Sequence, residues 1–162
     1  KNAIIENSLE DANEKNLELD RTDEDFKNIV RSLVTSISVE SGIEINRIFF
    51  RKMRSKWGSC SPGKNLTINT LLKYLPVNLI EYVIFHEMAH VIEKSHNHKF
   101  WKVVNKRFGD CQKHESDLLS YWFLIQNSKN KTTDVMNYND LNKLQTTKRG
   151  RNELSLTNYF YH

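Results

Sequence analysis

The 162-residue chain is short of the residues that staple or bend a fold: two cysteines, two prolines and five glycines. Cys60 and Cys111 cannot build a disulfide framework or a cysteine-rich zinc module. Such usage fits a reducing compartment, and a cytoplasmic protein is expected. No stretch approaches the roughly 18 apolar residues of a membrane span, so no membrane role is expected. The opening residues, Lys1-Asn2-Ala3-Ile4-Ile5-Glu6, hold no apolar run of the secretory-signal kind.

What is present is charge, unevenly placed. Residues 1–25 hold three basic side chains against nine acids, residues 26–127 fifteen against eight, and residues 128–162 six against three. Residues 1–21 have few apolar positions and no period, and read as an acidic, loosely structured segment. Residues 128–162, rich in Asn, Thr and Lys, read as a polar basic tail with one short helix near 135–144. One folded unit over residues 22–127 is expected between them. Its positive balance suits a polyanion or an acidic partner, although most charge runs are simply solvated surface.

Within that unit the spacing predicts an α+β fold. Thr22 followed by Asp25 reads as a helix N-cap. Phe26, Ile29, Val30, Leu33 and Ile37 follow at helical spacing, and Gly42 closes the helix. Ile45 to Met53 reads as a strand. Ser61-Pro62-Gly63 is a turn, with Pro first and Gly second of its central pair, joining two strands into a hairpin. Leu71–Leu75 reads as a short helical turn. Pro76 opens a stretch from Val77 to Lys94 that is apolar almost all round, the mark of a buried helix. Two further helices are expected, from about His98 to Phe108, closed by Gly109, and from about Lys113 to Asn127.

The buried helix carries His86-Glu87-Met88-Ala89-His90, the pattern H-E-x-x-H. Histidines four apart lie one turn apart on one helix face, so both imidazoles can reach one metal ion. Glu87 then stands where it can reach a water on that metal. Neutral imidazole suits Zn²⁺, and a catalytic site takes three protein ligands and keeps one position open. The third ligand must follow the end of the helix. His96 allows the chain to turn back, while His98 and Glu93 are the alternatives. Without a metal, two histidines and a glutamate on a buried helix would be costly.

Around this motif stand Arg54-Ser55-Lys56-Trp57-Gly58-Ser59-Cys60-Ser61, then Leu66-Thr67-Ile68-Asn69, Leu75-Pro76, Tyr82-Val83-Ile84-Phe85 leading into His86, then His96 and Phe100-Trp101. In that order and at those gaps the chain, from Arg47 to Phe108, resembles the YgjP-like metallopeptidase domain, kin to the SprT-like and WLM peptidase domains. The resemblance implies a minimal zincin fold, with a small antiparallel sheet packed on the active-site helix and further C-terminal helices. It implies His86, His90 and His96 as zinc ligands, Glu87 as the catalytic residue, and a cytoplasmic zinc-dependent protease acting on a peptide or protein substrate.

The remaining residues divide between packing and contact roles. Trp57 is expected to pack, Gly58 to mark a bend, and Cys60 and Cys111 to be small core residues rather than nucleophiles. Leu66, Thr67, Ile68 and Asn69 are a candidate edge for an extended peptide substrate, with an internal strand as the competing reading. Arg47, Arg51, Lys52, Arg54 and Lys56 are a candidate nucleic-acid contact, though alternation prevents Arg47, Arg51 and Lys56 from all sharing one face. Phe100 and Trp101 are expected to pin the helix after the loop and so orient His96. His98, Tyr74 and Arg54 are candidates for a further oxyanion donor. The competing functions are a nucleic-acid-associated protein with a structural zinc, a protease acting on DNA-bound proteins, and an inactive interaction module. Glu87 favours hydrolysis, because a structural zinc needs no acid there.

Overall fold

A computed structural model describes residues 15–130; the tail helix expected near 135–144 and most of the acidic head lie outside these residues. The first helix, α1 (Asp23–Ser41), starts where capping chemistry puts it. The Thr22 side chain accepts from the Asp25 backbone N–H at 3.1 Å. Three acids in the first turn complement the helix dipole. Gly42, at φ 73°, ends the helix and donates its N–H to the Ser38 carbonyl. Phe26, Val30, Val34 and Ile37 form the buried face.

Three short strands follow: β1 (Arg47–Arg51), β2 (Gly58–Cys60) and β3 (Asn65–Asn69). β2 and β3 form the expected antiparallel hairpin, with Gly58 opposite Ile68 and Cys60 opposite Leu66. β1 pairs parallel to β3, so the sheet is mixed, in the order β1-β3-β2. An α+β fold with a small sheet is thus found, antiparallel in one of its two pairings. The hairpin turn is closed by Lys64 N–H donating to Ser61 O. Its left-handed residue is Lys64, at φ 59°, not Gly63.

A 3-10 turn (Thr70–Tyr74) leads to α2 (Val77–Ala89), then α3 (His98–Phe108) and α4 (Cys111–Asn130). Helix α2 is the centre of the core: Leu79, Ile80, Val83, Ile84, Phe85 and Met88 are all buried. Burial of each such side chain is worth about 1.5–3 kcal/mol. The helix ends at Ala89, five residues before the apolar pattern suggests. Tightened i→i+3 bonds carry Met88 O to Val91 and Ala89 O to Ile92, and Ile92 is exposed rather than core.

Residues 15–21 form neither helix nor strand, yet they are tied down. Arg21 donates to the carbonyls of Lys73 and Leu75, Glu18 N–H donates to Tyr74 O, and Lys15 pairs with Asp117.

Asn69 holds the loop between β1 and β2. Its Oδ1 accepts from the backbone N–H of Met53 and Leu71, and its Nδ2 donates to the carbonyls of Met53 and Lys56. The residue is fully buried. Asn69→Ala leaves buried backbone groups without partners, and we expect a loss of roughly 2–4 kcal/mol in a urea titration. A variant as stable as wild type would show that the loop is held by other contacts.

Candidate metal centre

Helix α2 places His86 and Glu87 on its buried final turn, and His90 caps it. The chain then bends through Glu93–Ser95 and brings His96 back. Ring nitrogens of His86, His90 and His96 all lie within 4.8 Å of one another. His86 Nε2 and His96 Nε2 are 3.0 Å apart, close to the roughly 3.3 Å of two nitrogens on a tetrahedral zinc. The donor set fits a borderline-soft divalent ion: three imidazoles and no competing charge among the ligating atoms.

Each ring is oriented by what surrounds it. His90 Nδ1 lies 3.1 Å from Glu93 O. A carbonyl only accepts, so the proton sits on Nδ1 and the Nε2 lone pair is left for a ligand role. Phe100 stacks on His90 at 4.5 Å between centroids and meets His86 and His96 edge-on. Trp101 stacks on His96. These two aromatics sit on the first turn of α3, whose Asn97 cap accepts from Phe100 N–H. They pin the returning loop as expected.

Burial favours the neutral form of the two helix imidazoles. Burial, then the charges of His96 and His90, hold His86 well below its ordinary pKa, and burial lowers that of His90. Glu87 is 2% exposed. Burial pushes its carboxyl up to about 8, with Lys56 pulling down and Glu115 pushing up.

Two features escaped sequence reading. Gly58 does not mark a bend: it is the buried first residue of β2, and a Cβ there would stand 3.0 Å from Glu87 Cγ. Glu115, 4% exposed, lies 3.8 Å from His86 Nδ1 and accepts from Tyr82 Oη at 2.6 Å. Its signal was present: Cys111, Glu115, Leu118, Trp122 and Ile125 recur at helical spacing, so an acid occupies a core position.

The other candidates fall elsewhere. Leu66, Thr67, Ile68 and Asn69 cannot offer an edge to a peptide, because β3 is the middle strand and both its backbone edges are paired. Leu66, Ile68 and Asn69 are also fully buried. Arg47 and Arg51 share the exposed face of β1 with Phe49. Lys52 and Arg54 follow in an exposed loop, whereas Lys56 is half-buried and its charge reaches Glu87. His98 begins α3 outside the histidine cluster, Tyr74 ends the 3-10 turn, and Arg54 is exposed. Cys60 is half-buried, and burial with the Glu87 charge pushes its thiol to about 11, which suits packing rather than nucleophilic attack. Cys111 is buried.

A short mixed sheet beside a helix that carries a histidine cluster is the architecture of a small metallopeptidase domain. Comparison of the sequence with known families bears this out. The chain belongs to the YgjP-like family: the model of the YgjP-like metallopeptidase domain matches residues 1–121. Among solved structures, the metallopeptidase zymogen of Pyrococcus abyssi abylysin is similar in fold, at a TM-score of 0.52 and 20% identity, over 56% of this chain and 92% of that one. The metallopeptidase zymogen of Methanocaldococcus jannaschii jannalysin matches at a TM-score of 0.45 and 29% identity, over 57% and 92%. Comparison with curated proteins finds no match.

Proposed function

We propose that this metallopeptidase is zinc-dependent and hydrolyses peptide bonds, with His86, His90 and His96 as the ligands and Glu87 as general base. One observation carries the reading: three imidazoles converge beside a buried glutamate that follows the first of them. Zinc held by His86, His90 and His96 would lower the pKa of a bound water and polarise the scissile carbonyl. Glu87 takes the proton of the attacking water on a carboxylate oxygen and later gives it to the leaving amine. Glu93 O fixes the tautomer of His90, Phe100 and Trp101 fix the rings, and Gly58 lets β2 lie against Glu87. In this reading the catalytic unit is residues 22–127, between the acidic segment 1–21 and the basic tail 128–162. A cytoplasmic setting agrees with two free cysteines, and no helix of the described residues is long and apolar enough to cross a membrane.

The test is metal content and casein hydrolysis of the full chain beside His96→Ala. About one zinc per chain is expected for wild type, lost in His96→Ala. Cleavage should vanish with a chelator and return with added zinc. Wild type that takes up no metal would overturn the reading. A His96→Ala protein that holds zinc as tightly as wild type would move the third ligand elsewhere. A protease acting on DNA-bound proteins is the second reading, favoured only by the exposed Arg47, Arg51, Lys52 and Arg54. It requires duplex-DNA binding that weakens steeply with salt.

A further inference from the structure

Both helix histidines face the same requirement. To offer a lone pair at Nε2, a neutral imidazole must carry its proton on Nδ1, and that N–H needs an acceptor once buried. His90 finds it in Glu93 O. His86, which turns Nε2 toward His96, is fully buried, and Glu115 stands behind it with Oε1 3.8 Å from Nδ1.

Glu115 is an unusual occupant of its position. The buried residues of α4 include the apolar Leu118, Leu119 and Ile125, and its other buried polar side chain, Ser120, is an uncharged hydroxyl that donates to Ser116 O of its own helix. A carboxyl there is costly without compensation. Tyr82, one helical turn before His86, donates to Oε1, while Oε2 is buried with no hydrogen-bond partner among the described residues. Packing alone would be met by a leucine. The chain instead keeps an acid on α4 and a tyrosine on α2, both turned to the same imidazole: Tyr82 and His86 rings are 6.1 Å apart.

We propose that Glu115 is the positioning residue of His86. Held by Tyr82, its carboxylate accepts the Nδ1 proton of His86, fixes the tautomer and turns Nε2 toward the metal. The 3.8 Å separation is longer than a hydrogen bond. Bonds of this kind often run long before a site is loaded and tighten afterwards. Carboxylate partners of metal-bound histidines raise ligand basicity and set ring orientation. The inference rests on the metal-site reading above.

The test uses the full chain as wild type, Glu115→Gln, Glu115→Leu and Tyr82→Phe. Zinc affinity is measured by chelator competition, and the His86 tautomer by ¹⁵N NMR of the zinc-free protein. Melting temperatures of the zinc-free variants report folding. Zinc affinity should fall about 10–100-fold in both Glu115 variants. In Glu115→Leu the His86 signals should move from the Nδ1–H toward the Nε2–H pattern, with melting temperatures of both variants at or above wild type. Tyr82→Phe should weaken zinc in the same direction by less. Wild-type affinity in Glu115→Gln, or a wild-type tautomer in folded Glu115→Leu, would overturn the proposal, as would an affinity loss that only follows a loss of fold, whereas Gln can still accept the Nδ1 proton. If Glu115→Leu does not fold, Glu115→Gln decides. If wild type takes up no zinc, the metal reading fails instead, and the tautomer measurement still judges Glu115.

Discussion

Glu87→Gln should leave a protein that takes up metal through its three histidines but cleaves peptide bonds about 10²–10⁴-fold more slowly. Gln keeps the shape and removes the base. The carboxylate cannot be replaced from nearby: Glu115 lies behind His86 and is bonded to Tyr82. Metal content and kcat of the same preparation check the result, and a kcat within threefold of wild type would remove Glu87 from the mechanism. The substitution has a second signature in the metal-free protein. Burial raises the Glu87 carboxyl from its ordinary 4.5 to about 8. Below the lower value both folded and unfolded chains are protonated, and nothing is lost. As pH rises toward 8 the unfolded chain ionises first, so wild type loses stability across that window and levels off above it. Glu87→Gln removes this contribution. In chelator its melting temperature should match wild type near pH 4 and exceed it at pH 9. Some slope should survive, because burial pushes the Glu115 carboxyl to about 7.

The sequence made legible what local chemistry decides. Thr22, Gly42 and Gly109 mark helix ends because caps are local, and all three bound helices as expected. The spacing of His86, His90 and His96 survives into three dimensions because two sit on one helix face and the third needs only a six-residue return. What depends on distant partners was not legible. The parallel pairing of β1 with β3 has no turn signal in the chain between them, and it is what places β3 between two strands. The peptide-edge role assigned to Leu66–Asn69 failed for that reason. Glu115 stands 29 residues beyond His86 in sequence, and only the contact between α2 and α4 brings them together. Its place on an apolar helix face was the one local hint. Ile92 misled in the other direction: an apolar residue past the helix end suggested a longer helix, although it is 56% exposed.

Gly58 shows how such a distant contact can govern chemistry, and Gly58→Val should cost both stability and activity. A Cβ at this residue would meet Glu87 Cγ at 3.0 Å and Thr67 O at 3.2 Å. The first is the stem of the proposed base, and the second is backbone of the central strand. Neither is the free end of a mobile side chain. Valine suits a strand better than glycine does, so local propensity predicts a gain. The clash predicts the opposite, and overpacking of this kind costs roughly 1–3 kcal/mol. If β2 holds its register, Glu87 must move, and displacement of a catalytic group by about 1 Å can cost on the order of 100-fold in rate. Metal uptake should be little changed, because the groups that orient the histidines are Glu93, Phe100, Trp101 and the proposed Glu115, none of which is among the atoms a Cβ at Gly58 would meet. Ser59→Val is the control: it makes the same propensity change at the neighbouring residue, whose side chain points to the opposite face of the strand. Urea midpoints, zinc content and kcat for the pair separate the possibilities. A Gly58→Val enzyme with wild-type kcat would show that β2 does not hold Glu87 in place. Loss of zinc alongside activity would show that the strand supports the histidines as well as the base.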